Sequence, residues 1–284
     1  MLWCLPALST ESAVQIEALR AFYDRPPAEA AADPGWAEAH EALLNGLEAG
    51  TIRSAEPDGA SDWRVNSWVK QAILAGFRAT KMVEWPGPGF PFMDKSAFPP
   101  RVLRLEAAVR MVPGGSSIRR GSFLGAGVTV MPPAFINLGA FVDEGTMVDS
   151  HALVGSCAQI GKRVHLSAAA QIGGVLEPAG ARPVIVEDDA FVGALVGIFE
   201  GVRVRRRAVL ASGVVLTAST VIHDLVHECE WVREVPEGAV VVPGSRPARG
   251  GFAEARGLHV TTAIIVKYRD EKTDAATALE AALR

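Results

Sequence analysis

Ile118-Arg-Arg-Gly-Ser-Phe-Leu124-Gly-Ala-Gly-Val-Thr-Val130-Met-Pro-Pro-Ala-Phe-Ile136-Asn-Leu-Gly-Ala-Phe-Val142-Asp-Glu-Gly-Thr-Met-Val148 places an aliphatic residue at every sixth position. The series continues through Val154, Ile160, Leu166 and Ile172 without a polar exception. After an interruption it resumes as Val186, Val192, Ile198, Val204, Leu210, Leu216 and Ile222. Neither the 3.6-residue period of a helix nor the two-residue period of a long strand produces this spacing. Two residues before many of these positions the side chain is small or β-branched, as at Ala134, Ala140, Thr146, Ala152, Ala158, Ala170, Ala190 and Ala208.

This is the hexapeptide repeat. Each hexad supplies one short strand and one corner, and three hexads close a triangular coil. The aliphatic residue points inward and stacks on its equivalent in the next coil. Stacked strands lie about 4.8 Å apart, so the repeats predict a prism roughly 25–30 Å tall. No single coil buries its own apolar face, so the array is stable only as a stack. General chirality rules favour right-handed crossovers; the left hand expected here is implied by resemblance to known hexapeptide-repeat proteins. Between Ile172 and Val186 the spacing exceeds a hexad by eight residues, and because the register recovers, residues 173–185 are read as a loop extruded from one corner. Long excursions from rigid scaffolds often form ligand lids, the alternative being a tolerated insertion.

Outside the repeats, the predicted helices are Ser12–Tyr23, Trp36–Gly50 and Asn66–Arg78, with Trp68, Ile73 and Phe77 on one apolar stripe of the last. The segment from Trp85 to Pro100, rich in Pro and Gly, reads as a linker or packed loop. Beyond Ile222 the repeat is expected to end in a cap containing β-rich segments at Ala239–Val242 and Val260–Tyr268 and a helix from Thr273 onward. The resulting organisation is mainly β. It has an N-terminal helical domain and linker over 1–100, a left-handed parallel β-helix over 101–225 and a small C-terminal β/α cap over 226–284.

Composition narrows the function. The 284 residues carry 28 basic and 32 acidic side chains, a formal charge of −4, with no footprint for nucleic acid or an anionic membrane. Cys4, Cys157 and Cys229 are odd in number and widely spaced, as expected of reduced thiols in a cytoplasmic protein. Met1 to Ser9 has no basic region and no long apolar run, and no segment is long enough to cross a bilayer.

The run Val142-Asp-Glu-Gly-Thr-Met-Val-Asp149 is followed by Val154-Gly-Ser-Cys-Ala-Gln-Ile-Gly-Lys162, Val164-His-Leu-Ser167 and Ile172-Gly-Gly-Val-Leu-Glu-Pro178. Together these resemble the signature of the tetrahydrodipicolinate N-succinyltransferase family. The likeness extends to Trp68-Val-Lys-Gln-Ala-Ile-Leu74 and Ala263-Ile-Ile-Val-Lys267, spanning about Trp63 to Lys267. It implies succinyl transfer from succinyl-CoA to the amine of ring-opened tetrahydrodipicolinate. It also implies a homotrimer with sites between subunits, and neither a metal nor a permanently bound cofactor. Acetyl transfer from acetyl-CoA to the same or a related amino acid, or a noncatalytic β-helix homologue, are the alternatives.

Such a reaction needs an acceptor near the amine, donors for the thioester oxyanion and cations for a dicarboxylate. Asp149 follows inward-facing Val148 and so faces outward from a coil; it matches the family's substrate-contacting and proposed catalytic aspartate, against the alternative of a solvated turn residue. Arg110 matches the family's substrate-binding arginine, and a guanidinium suits a carboxylate. Ser212 and Gly213 are expected to meet pantetheine, and Lys267 a CoA phosphate. The cluster Arg203, Arg205, Arg206 and Arg207 is read as solvated. His151 and His165 are assigned structural or surface roles, and their spacing lacks a zinc pattern. The chain departs from the family at Leu195-Val196-Gly197, where many members carry Arg-Ser-Glu with a proposed second catalytic carboxylate. Loss of that polar set motivates the acetyl alternative.

Overall fold

The computed structural model describes residues 10–59, 62–87, 91–270 and 274. The inward aliphatic residues occupy the second place of two-residue strands that pair in parallel with strands one coil away. Phe141 aligns with Gln159, Met147 with His165, and Leu153 with Gln171, a repeat of eighteen residues that closes three hexads into one turn. The chain is therefore a left-handed parallel β-helix of three flat faces.

Alternation along each strand turns the preceding residue outward. Face I carries Phe123, Phe141, Gln159, Ile185 and Arg203. Face II carries Arg110, Thr129, Met147, His165, Phe191 and Val209. Face III carries Ser117, Phe135, Leu153, Gln171, Gly197 and Val215.

The inward column from Val130 to Leu216 is fully buried, and the small residues two places earlier fill the corners of the same core. Each buried aliphatic side chain contributes roughly 1.5–3 kcal/mol. Thr146, the polar member of the corner set, donates to the Gly161 carbonyl at 2.8 Å and accepts from the Val164 amide at 3.0 Å, so its burial leaves no polar atom orphaned. Tight corners place a residue of most hexads in the left-handed region, including His151, Cys157, Arg163, Ala169, Asp189 and Leu195 at φ of 53–67°.

The eight-residue excess is confirmed by pairing: Gln159 aligns with Ile185 instead of a residue eighteen places on. A second excursion was not foreseen. Arg203 pairs with Glu234, thirteen places later than the coil repeat would give, because Val221–Asp224 and Cys229–Val232 leave the prism as an antiparallel hairpin. The stack then resumes with Val235 and Val241 in the inward column, so the repeat does not end at Ile222. Ala239–Pro247 and His259–Tyr268 form the long antiparallel pair of the cap. The helix expected from Thr273 lies outside the described residues apart from Asp274.

The N-terminal part contains helices α1 (Thr10–Tyr23), α2 (Pro27–Ala32), α3 (Trp36–Glu48) and α4 (Ser67–Ala79). Trp68 and Ile73 are buried in its core with Phe77 packed against it. Two hairpins correct the purely helical reading: Ala55–Asp58 pairs with Asp62–Val65, and Met82–Trp85 pairs with Phe92–Lys95 inside the segment read as a linker. This part sits on face I. Arg53 lies 3.6 Å above the Phe141 ring and donates from Nε to Gln159 at 3.0 Å, while Ser54 donates to the Cys157 carbonyl at 2.8 Å.

Arg203 is likewise not solvated. It is 5% exposed and pairs with Glu187, donating from Nε at 2.7 Å, and Glu187 also accepts from Trp63 Nε1 at 3.0 Å. Arg205 pairs with Glu234 at 2.8 Å and Arg207 with Asp274 at 2.9 Å.

Candidate functional site

Both excursions leave the same edge of the prism, the one between faces III and I. Between them and the N-terminal part lies a cleft of about 1420 Å³. Its walls are Trp63, Val65, Leu74 and Phe77 on one side and the extruded loop from Gly173 to Arg182 on another. Its floor is the corner Phe199–Gly201, with Thr217, Ala218 and Arg233 beyond.

The loop is fastened at several points. The Val175 amide donates to the Ser156 carbonyl at 3.1 Å, and Leu176 packs on the N-terminal core. Lys70, fully buried on α4, donates from Nζ to the Ala181 carbonyl. Burial pulls the Lys70 ammonium below its ordinary range. Arg182 donates from Nε to the Gly201 carbonyl at 3.0 Å and from Nη2 to the Arg233 carbonyl at 3.3 Å. Gly201 has φ of 71°, and a Cβ there would sit 2.4 Å from the Arg182 carbonyl, so this corner accepts the returning loop only as glycine.

Phe199 leaves little room for a side chain at position 197. The Phe199 ring covers the outward side of residue 197: a Cβ added to Gly197 would lie 2.5 Å from Phe199 Cε2. Gly197→Glu is therefore expected to expel the ring and lower stability by about 1–3 kcal/mol, and Phe199→Ala in the same chain is expected to recover most of that loss. Thermal unfolding of the single and double variants measures both. Glu200 stands beside Phe199 with φ of 54°, and its Oε2 accepts the Ala218 amide at 3.0 Å.

Asp149 lies on a different edge, between faces II and III. It is half-buried, its Oδ1 accepts the Ser150 amide at 2.7 Å, and its own amide donates to the Leu166 carbonyl at 2.9 Å. Ser212 and Gly213 share that edge three coils further on, about 14 Å along the axis. Arg110 is exposed at the start of face II, two coils before Met147, about 10 Å along the axis. Lys267 is distant, aligned with Val240 at the far end of face II, where Nζ pairs with Asp270 at 3.1 Å. Asp149, Ser212 and Gly213 therefore share one surface, whereas the cleft is one face away on the same chain.

His151 is an exposed corner residue, and His165 is buried with its ring stacked on Phe191 at 4.8 Å. Both fit their structural and surface readings. Among the described residues, no group of three His, Cys, Asp or Glu side chains is arranged to hold a metal ion, and no helix is long and apolar enough to cross a membrane. Cys157 and Cys229 are free, and burial pushes the Cys157 thiol up to about 11.

Lys70, Arg182, Phe199 and Arg233 were not singled out from the sequence. The only signal for them was indirect, in the extruded loop and in the glycine at 197.

Residues 15–79 match the family model described as the N-terminal part of tetrahydrodipicolinate N-succinyltransferase, and residues 183–218 match that of the hexapeptide repeat of succinyl-transferase. A 2,3,4,5-tetrahydropyridine-2,6-dicarboxylate N-succinyltransferase of Rhodopseudomonas palustris is 43% identical over 99% of this chain and 100% of its own. The Polynucleobacter asymbioticus protein of the same name is 45% identical over 86% of this chain and 88% of its own. Among solved structures, a Campylobacter jejuni protein described as a 2,3,4,5-tetrahydropyridine-2-carboxylate N-succinyltransferase superposes with a TM-score of 0.51 at 16% identity. That match covers 84% of this chain and 64% of that one, and it supports the fold.

Proposed function

Because the chain belongs to the tetrahydrodipicolinate N-succinyltransferase family, we propose that it transfers the succinyl group of succinyl-CoA to the amine of L-2-amino-6-oxopimelate, the ring-opened form of tetrahydrodipicolinate, in lysine and diaminopimelate synthesis. The match to an N-succinyltransferase over 99% of this chain, with family models matched at residues 15–79 and 183–218, supports this reading.

The neutral amine attacks the thioester carbonyl, the tetrahedral oxyanion collapses, the C–S bond breaks, and CoA leaves as a thiol while the nitrogen loses one proton. Positioning is the larger part of such catalysis. Asp149 supplies the acceptor: Oδ1 is held by the Ser150 amide, which leaves Oδ2 to orient and receive the amine proton. Arg110, on the neighbouring face, takes a carboxylate of the acceptor substrate. Pantetheine follows the prism past Ser212 and Gly213. Lys267, already paired with Asp270 and remote along the axis, is a weaker partner for a CoA phosphate than its sequence position suggested.

One chain carries Asp149 on one edge and the cleft on the next, so a complete site joins the Asp149 edge of one subunit to the cleft of another. A homotrimer of parallel prisms does this three times. Exposed Leu195, at 69%, and Val215, at 53%, lie on the surfaces such an assembly covers. The free thiols suit a reducing cytoplasm.

Thiol release with tetrahydrodipicolinate as acceptor tests the reaction. Succinyl-CoA is expected to be used at least tenfold better than acetyl-CoA. A preference for acetyl-CoA would replace the donor, and no release with either would leave a noncatalytic homologue.

A further inference from the structure

Arg182 stands at the return of the extruded loop, half-buried in the wall of the cleft. A guanidinium withdrawn from water is normally matched by a carboxylate. Arg182 is not: its protein partners are two backbone carbonyls, of Gly201 and Arg233, and among the described residues no carboxylate lies within ion-pair distance of it. Two nearby acids are engaged elsewhere. Glu234 pairs with Arg205 at 2.8 Å and with Arg203 at 3.6 Å, and Glu200 accepts the Ala218 amide. Glu177 is exposed on the loop and, among the described residues, pairs with no cation.

The surroundings are cationic. Burial first, and then the charges of Arg203 and Arg233, which outweigh the opposing pulls of Glu234 and Asp62, shift Arg182 below its ordinary range. An anion bound there relieves this mismatch. The carbonyls fix the plane of the guanidinium through Nε and Nη2 and leave Nη1 without a partner among the described residues, a directional donor for one small oxyanion. The adjoining walls are Phe199, Val175 and Leu176, apolar surfaces suited to a short methylene chain. A multiply charged phosphate group fits the exposed Arg233 better than this recess.

We propose that Arg182 is a specificity-determining residue that binds the free carboxylate of the donor's acyl group, with Phe199 packing against its methylenes. This rests on the acyl-transfer reading above. It gives the cleft a means of choosing a dicarboxylic acyl chain even though residue 197 has no side chain.

The test compares succinyl-CoA with butyryl-CoA, a donor of equal length ending in methyl, for the full chain and for Arg182→Met. Both binding, by calorimetry without acceptor, and turnover are measured. The variant is expected to lose about 10- to 100-fold in affinity and in kcat/KM for succinyl-CoA, expressed mainly in KM, with butyryl-CoA unchanged. Lys70→Met, which releases the same loop without touching the cleft cations, is expected to weaken both donors alike. An equal loss for both donors in Arg182→Met would assign the arginine to CoA phosphates or to loop anchoring. No loss for either would remove it from the site. Each of these results overturns the inference. Selective binding without turnover would support Arg182 while sinking the catalytic reading.

Discussion

Asp149→Asn is expected to lower kcat by about 10²–10⁴-fold without changing the oligomer or its thermal midpoint. The amide keeps the shape of the carboxylate and can still accept the Ser150 amide through Oδ1, so the corner retains its 2.7 Å turn hydrogen bond. What the variant loses is the ability to receive a proton. Val148, directly before it, is fully buried in the core, so the corner is held by packing that the substitution leaves alone. Steady-state turnover with saturating succinyl-CoA and tetrahydrodipicolinate measures the effect, with sedimentation to verify assembly. Turnover above about a tenth of the original would strip Asp149 of its assigned role and leave the reaction to positioning alone.

Asp224→Ala is expected to have the largest effect on stability, about 3 kcal/mol, concentrated in the second excursion and the cap. Asp224 is 2% exposed and gathers hydrogen bonds from the Tyr268 hydroxyl at 2.6 Å, the Val226 amide at 2.9 Å, and His227 through Nδ1 at 3.0 Å and its amide at 3.1 Å. Burial acts to raise its pKa, but hydrogen bonds from Tyr268, His227 and Val226 outweigh it and hold the carboxyl well below the ordinary carboxylate range.

A carboxyl depressed in the folded state stabilises at pH values above its unfolded range. That contribution is lost as pH falls below about 4. Hydrogen-exchange protection in Val221–Asp224 and Cys229–Val232, taken relative to the intrinsic rate at each pH, should thus fall on acidification in the native chain, and already be low at neutral pH in the variant. Equal protection in both would show that the hairpin is held without this carboxylate. Because Arg233 ends the hairpin and lines the cleft, the variant is also expected to bind the donor more weakly.

The architecture was legible because one physical requirement, an inward aliphatic side chain on every short strand, recurs every six residues from Ile118 to Ile172 and again from Val186 to Leu216. The first excursion was legible for the same reason, since Val186 restores the period. The second was hidden by its sequence: Ile222 falls in register yet starts a hairpin, and the period returns only at Val235 and Val241. The hairpin of Met82–Trp85 with Phe92–Lys95 lay within a Pro- and Gly-rich stretch whose composition signals turns better than strands.

Outward positions were least readable. Arg203 looks like any solvated charge until Glu187, one coil earlier, is seen to pair with it; Trp63, more than a hundred residues away in sequence, donates to the same carboxylate. Arg182 and Phe199 depend in the same way on the return of the loop. Asp149 was found through its motif, and the structure adds that its edge is not the edge of the cleft.

Since partners in the ladder are eighteen residues apart while the apolar pattern repeats every six, removal or duplication of a single hexad would preserve a sound interior yet turn everything downstream by one third of a revolution. Ser212 would then follow a different ridge from Asp149, and both protrusions would migrate to another flank. Outside excursions extruded from an edge, the prism itself can lengthen or shorten without turning only by whole coils, which makes gaps of eighteen the mark of a change in height, and gaps of six the mark of a change in chemistry.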